Sequence, residues 1–221
     1  MREHKSMYLK YIPIGGYCAS WRICSHLNNR FDNLYLGRSA FFNYNSDRTN
    51  PVEMLCDFLD LYFQNKLFDN IMSKNSDICN DKRWDHCFDL KITDRYYLVT
   101  HIDHYDYKNI EYLISYIKYF FTCTCKYYIY IARRNFLTNI DLYMKLNRLL
   151  KRISKNSNLV IMVKKDNIDY SSLYKENIHV FEFNEYPKYY NNTIWKFDLD
   201  SYTRLCKFFK FQFSKDLFLD I

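Results

Sequence analysis

The sequence predicts an α/β fold of one domain, a mostly parallel sheet flanked by helices, and three observations predict it. From Tyr96 onward the pattern reads strand, helix, strand, helix, strand, strand, helix. The strand segments "KYYIYIA" and "NLVIMV" are almost unbroken apolar runs, as strands covered on both faces are. The segments between them carry apolar residues at helical spacing. Together they imply a three-layer, Rossmann-like arrangement over residues 1–221. With 48% hydrophobic and 20% aromatic residues, the chain buries a sizeable core, and disorder is excluded.

The elements follow in order. Tyr8–Ile14 reads as a strand that ends at Gly15-Gly16, and Cys18–Leu27 then shows helical spacing. "TNPVEMLCDFLDLYFQN" predicts a helix, with Asn50 as N-cap, Pro51 at the first helical position and Glu53 in the first turn. Residues 73–85 turn polar and predict a loop, after which "CFDLKI" and "RYYLVTHI" form two short strands around Thr93-Asp94. Ile110, Leu113, Ile114, Ile117 and Phe121 lie on one helical stripe, and a strand starts at Lys126. Thr138 and Asp141 open a helix whose face is Ile140, Tyr143, Leu146, Leu150 and Ile153. "NLVIMVKK" and "IHVFEFNE" are strands, and "DSYTRLCKFFKF" is a closing helix. No repeat, low-complexity tract or linker interrupts this order.

Charge and cysteine usage narrow the function classes. The net charge of +7 is dispersed among acids, and the basic run "KLNRLLKRISKNS" reads as a solvated helix face rather than a nucleic-acid patch. No apolar run is long enough to span a bilayer, and the N-terminus lacks a signal-peptide pattern. Eight irregularly spaced cysteines without such a signal predict reduced thiols in the cytoplasm. Cys24, Cys56 and Cys206 fall on apolar helix stripes and are expected in the core. Neither "CTC" nor "CNDKRWDHC" has the C-x-x-C spacing of a zinc knuckle, so no metal and no cofactor is expected. No Walker loop, G-x-G-x-x-G or G-x-S-x-G occurs.

The chemistry gathers at two places. Tandem glycine in a chain with three glycines, followed at once by Tyr17 and Cys18, places a thiol in the first turn of a helix. There the helix dipole and unpaired amides favour the thiolate, and the Gly16, Tyr17 and Cys18 amides are placed to hold an oxyanion or a bound anion. "VTHIDHYDY" supplies His101 and His104 as bases and Asp103 and Asp106 as orienting acids, in the chain order Cys, His, Asp. The bland readings are a tight turn with a buried Cys, and a polar loop with Asp106 as N-cap. Arg133, with Arg134, ends a strand where a phosphate or carboxylate would meet it.

The order "IPIGGYC", "RFDNLYL", "LCDFLDLYF", "YLVTHID", "YYIYIARRN", "NLVIMV" and "TIWKFDLDSY" resembles the papain-like cysteine peptidase domain family over roughly Lys10–Phe209. By position, Gly15 or Gly16 with Cys18 matches that family's glycine-cysteine turn, Phe31 and Asp32 match its Phe-Asp pair, and His101 with Asp103 approximates its His-Asp element. Arg30 and Asn33 stand where the family has Pro and Trp, and Ile102 separates His101 from Asp103. The resemblance implies a thiol nucleophile with a histidine base. A papain fold packs a helical half on an antiparallel half, whereas the alternation read here predicts parallel strands; the fold expectation follows the alternation. The functional expectation is a cysteine-dependent hydrolase acting on a peptide, isopeptide or other acyl bond of a peptide or protein substrate, with oligomeric state left open. The alternatives are a transferase or binding protein that holds a phosphorylated or sugar-nucleotide ligand at Gly15-Gly16, and a non-catalytic interaction protein.

Overall fold

Three apolar runs account for most of one four-stranded sheet. The computed structural model describes residues 8–15, 24, 51–74, 87–91, 97–101, 114, 117–118, 120–122, 124–132, 140–166, 168–186, 188–190, 194–196 and 198–210. In chain order its elements are β1 (Tyr8–Pro13), α1 (Pro51–Phe63), α2 (Leu67–Lys74), β2 (Cys87–Lys91), β3 (Tyr97–His101), β4 (Thr124–Ile131), α3 (Ile140–Ile153), β5 (Asn158–Lys164), α4 (Ser171–Lys175), β6 (Ile178–Phe183), β7 (Lys188–Tyr190), β8 (Ile194–Lys196) and α5 (Leu199–Phe209). β1, β4, β5 and β6 pair in that spatial order, all parallel.

Alternation along these strands divides the core into two layers. Ile12, Tyr128, Tyr130, Leu159, Ile161, Val163, Ile178 and Val180 face one way, onto α1, α3, α4 and the helical residues Ile114, Ile117 and Phe120. Tyr11, Ile129, Ile131, Val160, Met162, Phe181 and Phe183 face the other way, onto Cys24 and the α5 residues Tyr202, Leu205, Cys206 and Phe209. Because both faces are covered, β4 and β5 can be apolar at nearly every position, which is why they read as continuous runs. The α/β sheet flanked by helices in three layers is therefore the architecture of the described residues.

Local chemistry explains the helices. Pro51 occupies the first position of α1, where its missing N–H costs nothing. Asp198 caps α5 by accepting from the Ser201 amide at 2.8 Å, and Lys210 ends that helix in the left-handed conformation. The basic run lies on a largely solvent-exposed face, and two of its residues also make contacts within the fold. Lys145 of α3 lies 2.6 Å from Asp60 of α1, and the Arg152 guanidinium sits 3.6 Å from the centre of the Phe63 ring. No helix among the described residues is long and apolar enough to cross a membrane.

The structure corrects the expected order in three places. β3 does not join the parallel sheet: it pairs antiparallel with β2, as the expected hairpin, so Thr100 and His101 do not end a strand of the main sheet. The link between β5 and β6, read as passing straight from strand to strand, contains α4, as a parallel crossover needs room to return. The polar-loop reading begins two residues too early, at Ser73, since α2 follows directly behind α1 and runs to Lys74, and the β7–β8 hairpin precedes α5. α2 and α4 are eight and five residues long, too short to show a helical period.

Candidate functional site

The carboxyl ends of β1 and β4 meet at one point. The Ile14 amide donates to the Ile129 carbonyl at 2.9 Å, and the Ile131 amide donates to the Gly15 carbonyl at 3.2 Å. Gly15 is buried with φ 108°, a conformation that costs other residues dearly, so the chain turns away from the sheet here only because the residue lacks a Cβ.

The next described residues after each strand lie on opposite faces of the sheet. The chain leaving β1 reaches helical Cys24 in the α5 layer, whereas the chain leaving β4 forms α3 in the other layer. Adjacent parallel strands followed by elements on opposite faces define a switch point, and the carboxyl ends there are the usual ligand position in such sheets. β5 and β6 are also followed by elements on opposite faces, and their ends carry an ion pair in addition to a backbone bond like the one between β1 and β4. The Lys165 amide donates to the Phe183 carbonyl at 2.6 Å, and Lys164 pairs with Glu185 at 2.9 Å.

Tyr186 is tied to the carboxyl end of β4. Its hydroxyl donates to the Ala132 carbonyl at 2.7 Å, while the Ala132 amide donates to the Met162 carbonyl at 2.8 Å. Around it stand Tyr130 and Tyr143, with ring centres 6.0 Å apart, and Tyr170. Burial, then neighbouring tyrosines, pushes the Tyr143 hydroxyl well above its ordinary value; burial, followed by Glu182 and Asp166, pushes Tyr170 up to about 12. These hydroxyls are therefore neutral donors at any physiological pH. The Tyr170 hydroxyl has no hydrogen-bond partner among the described residues.

Three of the described cysteines are held in the thiol form by burial. Burial raises the thiols of Cys24, Cys56 and Cys206, that of Cys56 to about 12. These three, with Cys125, are buried and form no disulfide, in agreement with the core positions expected for Cys24, Cys56 and Cys206. Among the described residues no group of three or more His, Cys, Asp or Glu is gathered to hold a metal ion.

Of the residues singled out in the sequence, Gly15 stands at this switch point, bonded to β4. The His101 backbone ends β3 opposite Cys87, and β2 lies beside α2. Gly16, Tyr17, Cys18, Phe31, Asp32, Asp103, His104, Asp106 and Arg133 lie outside the described residues. Covalent continuity places Cys18 three positions beyond Gly15, and Arg133 directly after Ala132.

Sequence reasoning missed Tyr186 and a polar network at the start of α5. There Asn184 donates to Asp198 and Asp200 at 3.2 and 2.8 Å, and Arg204 donates to Asn184 at 3.0 Å. Burial works to raise the Asp198 carboxyl, but the bonds from Ser201 and Asn184 outweigh it and hold the group below its ordinary value. The only available signal was Asp198 three positions before Ser201, an N-cap spacing. No family model, curated protein or solved structure matches this chain.

Proposed function

We propose that the chain is a cysteine-dependent hydrolase whose active site lies at the β1/β4 switch point, acting on a peptide, isopeptide or other acyl bond in the cytoplasm. The observation that carries this reading is the buried Gly15 turn at the switch point between two parallel strands, three positions before Cys18. In this reading His101, or His104, removes the Cys18 proton, and Asp103 or Asp106 orients the imidazole. The sulfur attacks the acyl carbon, the Gly16, Tyr17 and Cys18 amides hold the oxyanion, and the imidazolium protonates the leaving group. Water then releases the acid and restores the thiol. The raised, buried thiols of Cys24, Cys56 and Cys206 support the assignment by removing competing nucleophiles.

The test is the pH dependence of alkylation at each cysteine, read by mass spectrometry on intact protein and on His101→Ala. Selective modification of Cys18 well below the ordinary thiol range of about 8.5, weakened in the variant, is the expected result. Ordinary reactivity at Cys18 removes the hydrolase reading. The same glycine turn then favours a second one, in which backbone amides hold a phosphorylated or sugar-nucleotide ligand; phosphate-dependent thermal stabilisation would distinguish it.

A further inference from the structure

The cations at the end of α3 are gathered in a way that the linear run does not show. Arg148, Lys151, Arg152 and Lys155 recur at i, i+3, i+4 and i+7, so they follow one another down a single face of the helix and the turn after it. Arg148, Arg152 and Lys155 are exposed and Lys151 is half-buried, and none of the four forms an ion pair or a side-chain hydrogen bond among the described residues. Asp60, the α1 acid that meets α3, is already paired with Lys145. α1 and α3 lie with their carboxyl ends together, since Cys56 meets Leu142, Asp60 meets Lys145 and Phe63 meets Arg152. Two helix carboxyl ends amount to roughly one negative charge, which the stripe exceeds.

Half-buried rings stand beside the stripe. The Arg152 guanidinium lies 3.6 Å from the centre of the Phe63 ring, and Phe63 packs on Tyr62 with centres 5.4 Å apart. Tyr62 continues the set to Phe68 and Phe121, at 6.3 and 3.4 Å, and the Lys118 ammonium lies 5.1 Å from the centre of the Phe68 ring. Tyr62, Phe63, Phe68 and Phe121 each keep part of their surface in water, and Lys66 and Lys118 are exposed. Segments 61–70, 118–122 and 148–157 together carry six cations and one acid, Asp69. A guanidinium laid on a ring keeps the N–H groups of its edge free for an acceptor.

We propose that this face, made by the carboxyl ends of α1 and α3, the start of α2 and the helical residues Lys118 to Phe121, binds single-stranded nucleic acid. The stripe sets four cations along about 10 Å of helix, a spacing that meets successive phosphates of one strand. Arg152, held on Phe63, presents its fork to a phosphate, and the half-exposed rings offer the bases a stacking surface. A duplex hides its base faces and can use only the cations, so the rings favour a single strand. An anionic membrane would be met by apolar side chains that project from the face. Of the exposed large apolar residues, only Met72 of α2 belongs to these elements, whereas Ile168, Tyr174, Leu199 and Phe208 stand elsewhere. α3 leads from this face into the amino end of β5 at Asn158, away from the carboxyl-end switch point, so the inference does not rest on the hydrolase reading.

The test is fluorescence anisotropy of a labelled, mixed-sequence 20-nucleotide single strand titrated with full-length protein at 50 and 200 mM salt. Four phosphate contacts on a single strand give a log–log salt slope of about −2.8, so affinity should fall roughly fiftyfold between the two salts. The triple variant Arg148→Gln, Lys151→Gln, Lys155→Gln should bind at least about tenfold more weakly at 50 mM salt, with a slope of about −0.7. Lys165→Gln, Lys207→Gln and Lys210→Gln together remove the same charge from exposed positions at the other end of the sheet and on its α5 face, and should change affinity less than about twofold. Arg152→Lys keeps the charge but loses the planar fork, and should weaken binding by about threefold at an unchanged slope. Unchanged thermal midpoints in both triple variants separate lost binding from lost fold. No binding at 50 mM salt, or equal losses in the two triple variants, overturns the site. A duplex of the same length that binds as tightly overturns the single-strand assignment. Capture by phosphatidylserine vesicles without binding to the strand overturns nucleic acid as the partner.

Discussion

The Gly15 carbonyl accepts from the Ile131 amide at 3.2 Å, so the turn after β1 is bound to β4 although the two residues are separated by 116 positions, 131 minus 15. With φ 108°, Gly15 is in a region that an alanine enters only at a cost. Gly15→Ala should destabilise the protein by roughly 1–3 kcal/mol, through backbone strain and the placing of a methyl in a buried position. Urea unfolding checks this. A loss under about 0.5 kcal/mol would mean that the turn relaxes, and with it the argument for a fixed switch point.

Ser154 tests the opposite end of β4. Its hydroxyl accepts from the Cys125 amide at 3.1 Å and donates to the Cys125 carbonyl at 3.0 Å, joining the end of α3 to the start of the strand. All of these groups are buried, so deleting the hydroxyl loses two hydrogen bonds without access to water in exchange. Ser154→Ala should cost about 1–3 kcal/mol, while Lys155→Ala, one exposed residue later, should be nearly neutral. Equal effects in chemical denaturation would contradict the staple.

The contrast between these residues and the strands shows what was legible. β5 and the second half of β4 announce themselves because burial on both faces leaves few polar positions to blur the run, β6 does so despite His179 and Glu182, and α1 announces itself through Pro51 and Glu53. Gly15 was legible because a chain so poor in glycine placed two together. Ser154, Asn147 and Tyr186 were not. Each is a polar residue whose role depends on a carbonyl brought near by tertiary folding, as when Asn147, inside a basic helical stretch, donates to Glu176 at 2.9 Å. β3 was misplaced for a different reason: the alternation from Tyr96 onward reads as one series, although the short turn before β3 already points to β2 as its partner.

The ion pair between Lys145 and Asp60 should contribute little despite its 2.6 Å separation. Both side chains are partly in water, at 42% and 32% exposure, where hydration competes with the pair. Lys145→Ala should cost under about 1 kcal/mol, and the difference should shrink in 1 M salt as screening shortens to about 3 Å. A loss of several kcal/mol, independent of salt, would show the pair to be far better shielded than its exposure implies.

The buried thiols make a claim about alkaline stability. Cys56 ordinarily ionises at 9.0, and burial, only partly countered by Lys145, raises it to about 12 in the folded chain. Between these values the unfolded chain has released the proton and the folded chain retains it, so the unfolded state binds fewer protons and stability falls as pH rises. The contribution is intact below pH 9, and Cys56 alone removes up to about 1.4 kcal/mol per pH unit above it. Cys24, raised by complete burial, acts in the same direction, and Tyr143 adds to the loss above its ordinary 10.0. Urea unfolding at pH 8, 9.5 and 10.5 should therefore show a steepening decline, shallower in Cys56→Val, which keeps an apolar side chain at the site and cannot ionise. In the native protein Cys24 and Cys56 should resist iodoacetamide at pH 8.5 and react once denaturant exposes them. A flat stability profile to pH 10.5, or native-state labelling of Cys56 at pH 8.5, would show that α1 opens readily and that its thiol is not held in the core.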